Sequence, residues 1–130
     1  MILDSSALVA VALREPDAGR MLEAMVAAPR LGIGAPTLVE TTIVLSARLG
    51  TDARGLASRI LLEGDIAVVP FTDAHFGAAL TAWLRYGRGR HPAQLNYGDC
   101  LAYATARIAG EPLLFTGDDF AQTDVAPAAP

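Results

Sequence analysis

Short apolar runs alternate along the chain with longer stretches of helical spacing. Ile2-Leu3 opens it as a short buried strand. Leu31 to Ala35 reads as a second strand closed by Pro36, and Ile66 to Val69 as a third bounded by Pro70. Leu113 to Thr116 reads as a fourth, followed by a turn at Gly117-Asp118-Asp119, and Val125 belongs to a last short strand. Between the strands, apolar residues recur at helical intervals. Helices are predicted over Ser6 to Leu13, Ala18 to Ala28, Thr37 to Leu49, Asp52 to Glu63, Asp73 to Tyr86 and Asn96 to Ala109. Gly50 and Gly110 stand where C-caps belong, and Pro16 and Pro29 break or end the first two helices. Arg85 to Gln94 is a polar loop with Gly and Pro. Strands alternating with helices predict a parallel sheet covered on both faces, with any site beyond the carboxyl ends of the strands.

No repeat or linker interrupts this order, so residues 1–130 read as one domain, with 126–130 as a frayed tail. A chain of 130 residues buries roughly two-thirds of its unfolded surface, enough for one core. At 52% hydrophobic and 18% charged it is too apolar for disorder. No apolar run approaches the roughly 18 residues of a membrane span, and Met1-Ile2-Leu3-Asp4 lacks the basic start of a signal peptide, so a cytoplasmic protein is expected. A net charge of −4 argues against a general nucleic-acid binder with a basic surface. It leaves room for a nuclease, because carboxylates that hold a cation add to the acidity. All ten basic residues are Arg. The single cysteine, Cys100, excludes an internal disulfide and a cysteine zinc cluster, and its apolar helical setting predicts a buried, inert thiol.

Four acids carry the candidate chemistry. Asp4 follows the first strand and Asp118 follows the fourth, both at carboxyl ends. Glu40 has Ile43, Val44 and Ala47 at i+3, i+4 and i+7, and Asp99 has Ala102, Tyr103 and Ala106. Both therefore lie on apolar stripes, where a carboxylate must pair, protonate or bind a metal. Each also has a plainer reading. Thr37 to Glu40 fits a capping box, Asn96 to Asp99 an N-cap with an acid on the helix dipole, Asp4 a cap for the helix near Ser6, and Asp118-Asp119 a turn. Four independent caps need not converge on one edge of a sheet. Converging carboxylates repel one another unless a cation lies between them, and a chain without Lys offers no ammonium to replace it. Mg²⁺ is a hard ion that takes such oxygen ligands beside water and phosphate.

Other chemistry is thinner. His75 and His91 are the only histidines; a metal-free ribonuclease would need paired general acids and bases, commonly His, but His75 reads as surface or structural and His91 sits in the arginine loop. Arg85, Arg88 and Arg90 form the one basic cluster and suit RNA phosphates, with Tyr86 as a surface on which a base could stack; a solvated loop is the other reading. Trp83 reads as core or dimer interface. Ser5 and Ser6 lack a nucleophile elbow, and no Gly-rich phosphate loop is present.

Ile2-Leu3-Asp4-Ser5-Ser6-Ala7-Leu8, Pro36-Thr37-Leu38-Val39-Glu40, Asn96-Tyr97-Gly98-Asp99-Cys100 and Thr116-Gly117-Asp118-Asp119-Phe120-Ala121-Gln122-Thr123-Asp124 occur in this order across almost the whole chain. Together they resemble the PIN-domain ribonucleases, specifically the VapC-type toxins of bacterial toxin–antitoxin pairs. The resemblance implies an α/β/α sandwich with a five-stranded parallel sheet. It implies RNA cleavage that depends on Mg²⁺ or Mn²⁺ and leaves a 5′-phosphate, a homodimer, and inhibition by a small antitoxin that covers the active site. Asp4 and Asp99 match the acids most directly assigned to metal, Glu40 the third acid and Asp118 the fourth. Some relatives keep only the position of Asp119, which makes Asp118 an auxiliary or second-metal ligand. Ser6 and Thr116 match polar positions that hold the acids by hydrogen bonds. A receiver-like or phosphatase reading is disfavoured by the missing Lys, and a catalytically silent PIN-fold interaction module is the alternative.

Overall fold

The computed structural model describes residues 1–128. Four strands, β1 (Ile2–Leu3), β2 (Leu31–Gly34), β3 (Ile66–Val69) and β4 (Leu113–Leu114), form one sheet in the order β3-β2-β1-β4. Every pairing is parallel, with Ile2 opposite both Gly32 and Leu113, and Leu31 opposite Ile66. Six helices complete the described residues: α1 (Ser5–Ala12), α2 (Ala18–Ala27), α3 (Ala35–Leu49), α4 (Arg54–Glu63), α5 (Asp73–Tyr86) and α6 (Tyr97–Ala109).

The period-two alternation of strands sorts the core into two layers. Ile2 and Leu113 join Ala82, Leu95, Ala102, Tyr103 and Phe120 on the α5/α6 face. Leu3, Leu114 and Ile33 join Leu8, Met21 and Met25 on the α1/α2 face. A third group, Val9, Leu45 and Ala53, seals α1 against the far end of α3. The architecture is the expected α/β/α sandwich, but its sheet has four strands rather than five. The fifth is reduced to one parallel bridge between Leu113 and Pro127, flanked by bonds from Leu113 N–H to Ala126 O and from Ala128 N–H to Leu113 O. Proline cannot donate to a ladder, and Pro127 stands at the bridge itself. Ala126 to Ala128 thus lie along β4 instead of standing free; residues 129 and 130 of the predicted tail lie outside the described residues.

Two junctions differ from expectation in ways that bear on the site. β2 passes into α3 with no loop: Gly34 is the N-cap and Pro36 stands in the first turn, where its missing N–H costs nothing. Gly34 also packs so closely on α6 that a Cβ there would lie 2.6 Å from Thr105 Oγ1. β4 ends at Leu114, two residues early, because the next segment bends to meet α1.

Leu114 is buried and Val26 is 85% exposed. Leu114→Ala should lower unfolding free energy by about 2–5 kcal/mol, and Val26→Ala by no more than about 0.5 kcal/mol. Urea unfolding of the two variants checks the layer assignment; similar losses would contradict it.

Candidate metal centre

Asp4 is the first residue past β1 and the N-cap of α1. Its Oδ2 accepts from Ser6 N–H at 3.2 Å and from Ser6 Oγ–H at 2.6 Å. Ser6 Oγ in turn accepts from Thr116 N–H at 3.0 Å, so one hydroxyl ties the ends of β1 and β4 together. Ser6 therefore holds Asp4 as expected. Thr116 contributes its backbone amide to this chain of bonds, where the resemblance pointed to its polar side chain. Asp4 is only 4% exposed, and its Oδ1 is buried with no partner. Burial pushes its carboxyl above the ordinary range; the Ser6 bonds oppose this, and the charge of Glu40 adds to it.

Asp99 occupies the third position of α6. Asn96 and Asp99 form a reciprocal capping box: Asp99 N–H donates to Asn96 Oδ1 at 2.8 Å, and Asn96 N–H to Asp99 Oδ2 at 3.0 Å. The capping reading of Asp99 is thus realised, with its carboxyl tied to the start of α6. Its carboxyl is pushed up to about 6, first by burial and then by the charges of Asp4, Asp119 and Glu40, against the Asn96 bond.

Glu40 lies on α3, one turn and a half past the β2 junction, and is half-buried. It is not part of a capping box, because Gly34 caps α3 and Thr37 lies inside the helix with its Oγ1 buried and unpartnered. The Glu40 carboxylate instead lies against the first turn of α6 at Gly98, where a Cβ would stand 2.9 Å from its Cδ and 3.0 Å from Oε1. Sequence reasoning passes over Gly98; the available signal is a glycine set inside the first turn of an otherwise sound helix.

The structure brings Asp4, Glu40, Asp99 and Asp119 into one another's field. Asp118 and Asp119 are both exposed on the turn after Thr116, and it is Asp119, not Asp118, that is among the principal charges acting on Asp99. The basic loop is not gathered on this rim. Arg85 faces Asp124 at 4.0 Å; Arg90 Nε donates to Leu84 O at 3.1 Å and its guanidinium lies 4.9 Å over Trp83. Arg88 is exposed at the edge of an apolar groove of about 550 Å³ between α5 and α6. Tyr86 is half-buried, packed edge-on to His91 and tilted against Tyr103, so it is no free platform for a base. His75 is structural: its Nδ1 accepts from Thr72 N–H at 3.1 Å at the start of α5. Cys100 is buried, which pushes its thiol up to about 11.

The acids fit a divalent cation. A buried carboxylate oxygen without a partner is costly, and Asp4 Oδ1 takes no part in the bonds that fix Oδ2. Among the described residues no three acidic, histidine or cysteine side chains close into a ready-made cage. Mg²⁺ takes one or two carboxylates and keeps several waters.

Residues 1–126 match the PIN domain family. The chain belongs to that family, in its branch of VapC ribonucleases. It is 46% identical over 126 residues to ribonuclease VapC36 of Mycobacterium tuberculosis, covering 96% of this chain and 91% of the relative. It is 41% identical over 126 residues to ribonuclease VapC of Mycolicibacterium smegmatis, covering 97% and 98%. The fold is shared with crystalline VapC20 of M. tuberculosis, a sarcin-ricin loop cleaving toxin, at a TM-score of 0.79 and 21% identity over 99% of this chain and 98% of that one. A chain of a toxin-antitoxin complex from Klebsiella pneumoniae superposes with a TM-score of 0.70 at 18% identity, over 95% and 92%.

Without a cation the site burdens the fold. Folded Asp99 keeps its proton up to about pH 6, against an ordinary value of 3.8. The folded state therefore binds more protons between these values, and its stability falls as pH rises towards 6. Asp99→Asn, which retains the cap acceptor, should stabilise chelator-treated protein by roughly 1–3 kcal/mol above pH 6. The gain should vanish near pH 4. Urea unfolding at both ends of this range tests it; a gain of equal size at both would reject burial and mutual repulsion as the cause.

Proposed function

We propose that this VapC ribonuclease cleaves RNA with a divalent cation, Mg²⁺ or in its place Mn²⁺, held at the acidic rim, and that it acts as the toxin of a toxin–antitoxin pair. Asp4 through Oδ1 and Asp99 are the primary ligands, and Glu40 binds directly or through water. Asp119 completes the field, and Asp118 on the same turn is auxiliary. The observation that carries this reading is Asp4 Oδ1, a buried and unpartnered oxygen, with the charge of Glu40 raising the Asp4 carboxyl and the charges of Asp4 and Glu40 raising that of Asp99.

When bound, the cation neutralises phosphodiester charge and makes water acidic enough to supply a nucleophile near neutral pH. The chain's own residues fix the geometry. Ser6 locks Asp4 through Oδ2 and leaves Oδ1 for the ion. The Asn96 amide holds Asp99 Oδ2 in the same manner, so both ligands are oriented before an ion arrives. The α6 N-terminus adds a favourable dipole for negative charge at the rim. Arg88, exposed and close to Asn96 and Tyr97 along the α5/α6 groove, is the loop arginine best placed for RNA phosphate, with Arg85 and Arg90 as outer contacts. A binding-only PIN fold would not need this paired orientation of acids.

Two protein partners follow. A small antitoxin that covers the rim would silence the enzyme. A second copy of the chain would cover the α5 face, where Phe76, Leu80, Trp83 and Leu84 are exposed. No helix among the described residues is long and apolar enough to cross a membrane. A toxin that acts on RNA works in the cytoplasm.

Purified protein should cut labelled total RNA with Mg²⁺ and stop with chelator. Asp99→Asn should retain less than about one-hundredth of the rate, and Ser6→Ala, which frees Asp4, should lose about ten- to a hundredfold. Cleavage indifferent to chelator and to Asp99→Asn would overturn the proposal.

A further inference from the structure

We propose that Gly98 is a positioning residue: it lacks a side chain so that the Glu40 carboxylate can lie flush against the first turn of α6, within reach of the ion held by Asp4 and Asp99. The inference rests on the metal-dependent reading of the rim and deepens it.

Glycine is a poor helix former, yet Gly98 stands one residue inside α6, between the two halves of the Asn96–Asp99 capping box. Its backbone does not require glycine, since the positive-φ glycines are Gly50, Gly89, Gly110 and Gly117. Space explains it instead. A Cβ on Gly98 would meet Oε2, Cδ and Oε1 of Glu40, and those three atoms are its nearest neighbours. The other helical glycines, Gly19, Gly55 and Gly77, would meet nothing within 4 Å. Gly98 alone among them is filled by a carboxylate from another helix.

The consequence is specific. The atoms a Cβ would strike are the end of a flexible side chain, so alanine can be accommodated by swinging Glu40 away from α6. The fold survives such a move, and α6 gains a better helix former. The arrangement of acids does not survive it: Glu40 leaves the shared field while Asp4 and Asp99, fixed by Ser6 and Asn96, remain. A glycine that merely eased packing would show the opposite pattern, with damage to stability and none to the ion.

Mn²⁺ is the probe, its affinity read by titration of the full chain without RNA, in a cycle of wild type, Gly98→Ala, Glu40→Ala and the double variant. Gly98→Ala should weaken Mn²⁺ binding about tenfold or more, with a melting temperature in chelator within a few degrees of wild type. In the Glu40→Ala background the same change should alter affinity by less than about twofold, because there is no carboxylate left to displace. An equal loss in both backgrounds, or no loss in the first, would overturn the role of Gly98 and leave the metal reading standing. Mn²⁺ affinity indifferent to Glu40→Ala would overturn the assignment of Glu40 as a ligand, and the inference with it. If Gly98→Ala folds only when Glu40 is absent, the steric contact is confirmed directly; failure to fold in both backgrounds rejects it.

Discussion

Carboxylates buried in one another's field are the constraint on which this structure turns. Asp4 is almost fully enclosed, Asp99 is pushed up to about 6, and Glu40 and Asp119 add negative charge to the same rim. Nothing in the hydrophobic core needs these groups there. A protein keeps such repulsion only where the surrounding structure holds it in place and something offsets it. Here the parallel sheet holds it: strand ends deliver Asp4 and the Asp119 turn, and the helix starts deliver Glu40 and Asp99.

The supports are short and direct. One hydroxyl, Ser6 Oγ, bonds both Asp4 and the backbone beyond β4. The Asn96 box sets Asp99 while it caps α6. Gly34 brings β2 and the root of α3 against Thr105, and Gly98 brings the tip of Glu40 against the start of α6. Two close contacts on α6, one at Gly34 where β2 ends and one at Gly98 against Glu40, hold the root and the tip of α3's acid close to α6. Asp4 and Asp99 are each held through Oδ2 by a hydrogen bond from a neighbouring segment, which orients both carboxyls.

Much of this is legible in the sequence. β3 and α5 lie where hydrophobic period and breakers place them, and the two-faced parallel sheet follows from alternating strands and helices. Asp4 and Asp99 are recognisable because strand ends and apolar stripes are properties of local pattern. What escapes depends on contacts between distant segments. Thr37 resembles an N-cap because Pro36 resembles the end of a strand; in the folded chain Pro36 is a first-turn residue and Gly34 takes the cap. Choosing between Asp118 and Asp119 requires the path of a turn through Gly117, whose φ of 78° no alternation rule supplies. The arginine loop reads as one basic patch, but Asp124 and Trp83 draw Arg85 and Arg90 apart. The fifth strand reads as an element in the sequence and is a single bridge in the fold.

The central claim is that Asp4 Oδ1 is left unpartnered for an ion that Asp99 shares. Crystals soaked in Mn²⁺ and measured at the manganese absorption edge test it most directly. The account predicts an anomalous peak within about 2.0–2.2 Å of Asp4 Oδ1 and of an Asp99 carboxylate oxygen, near the distances a small octahedral cation demands. A peak elsewhere on the rim, bound by Asp118 or Asp119 without Asp4, or no peak at a Mn²⁺ concentration that supports RNA cleavage, would contradict it.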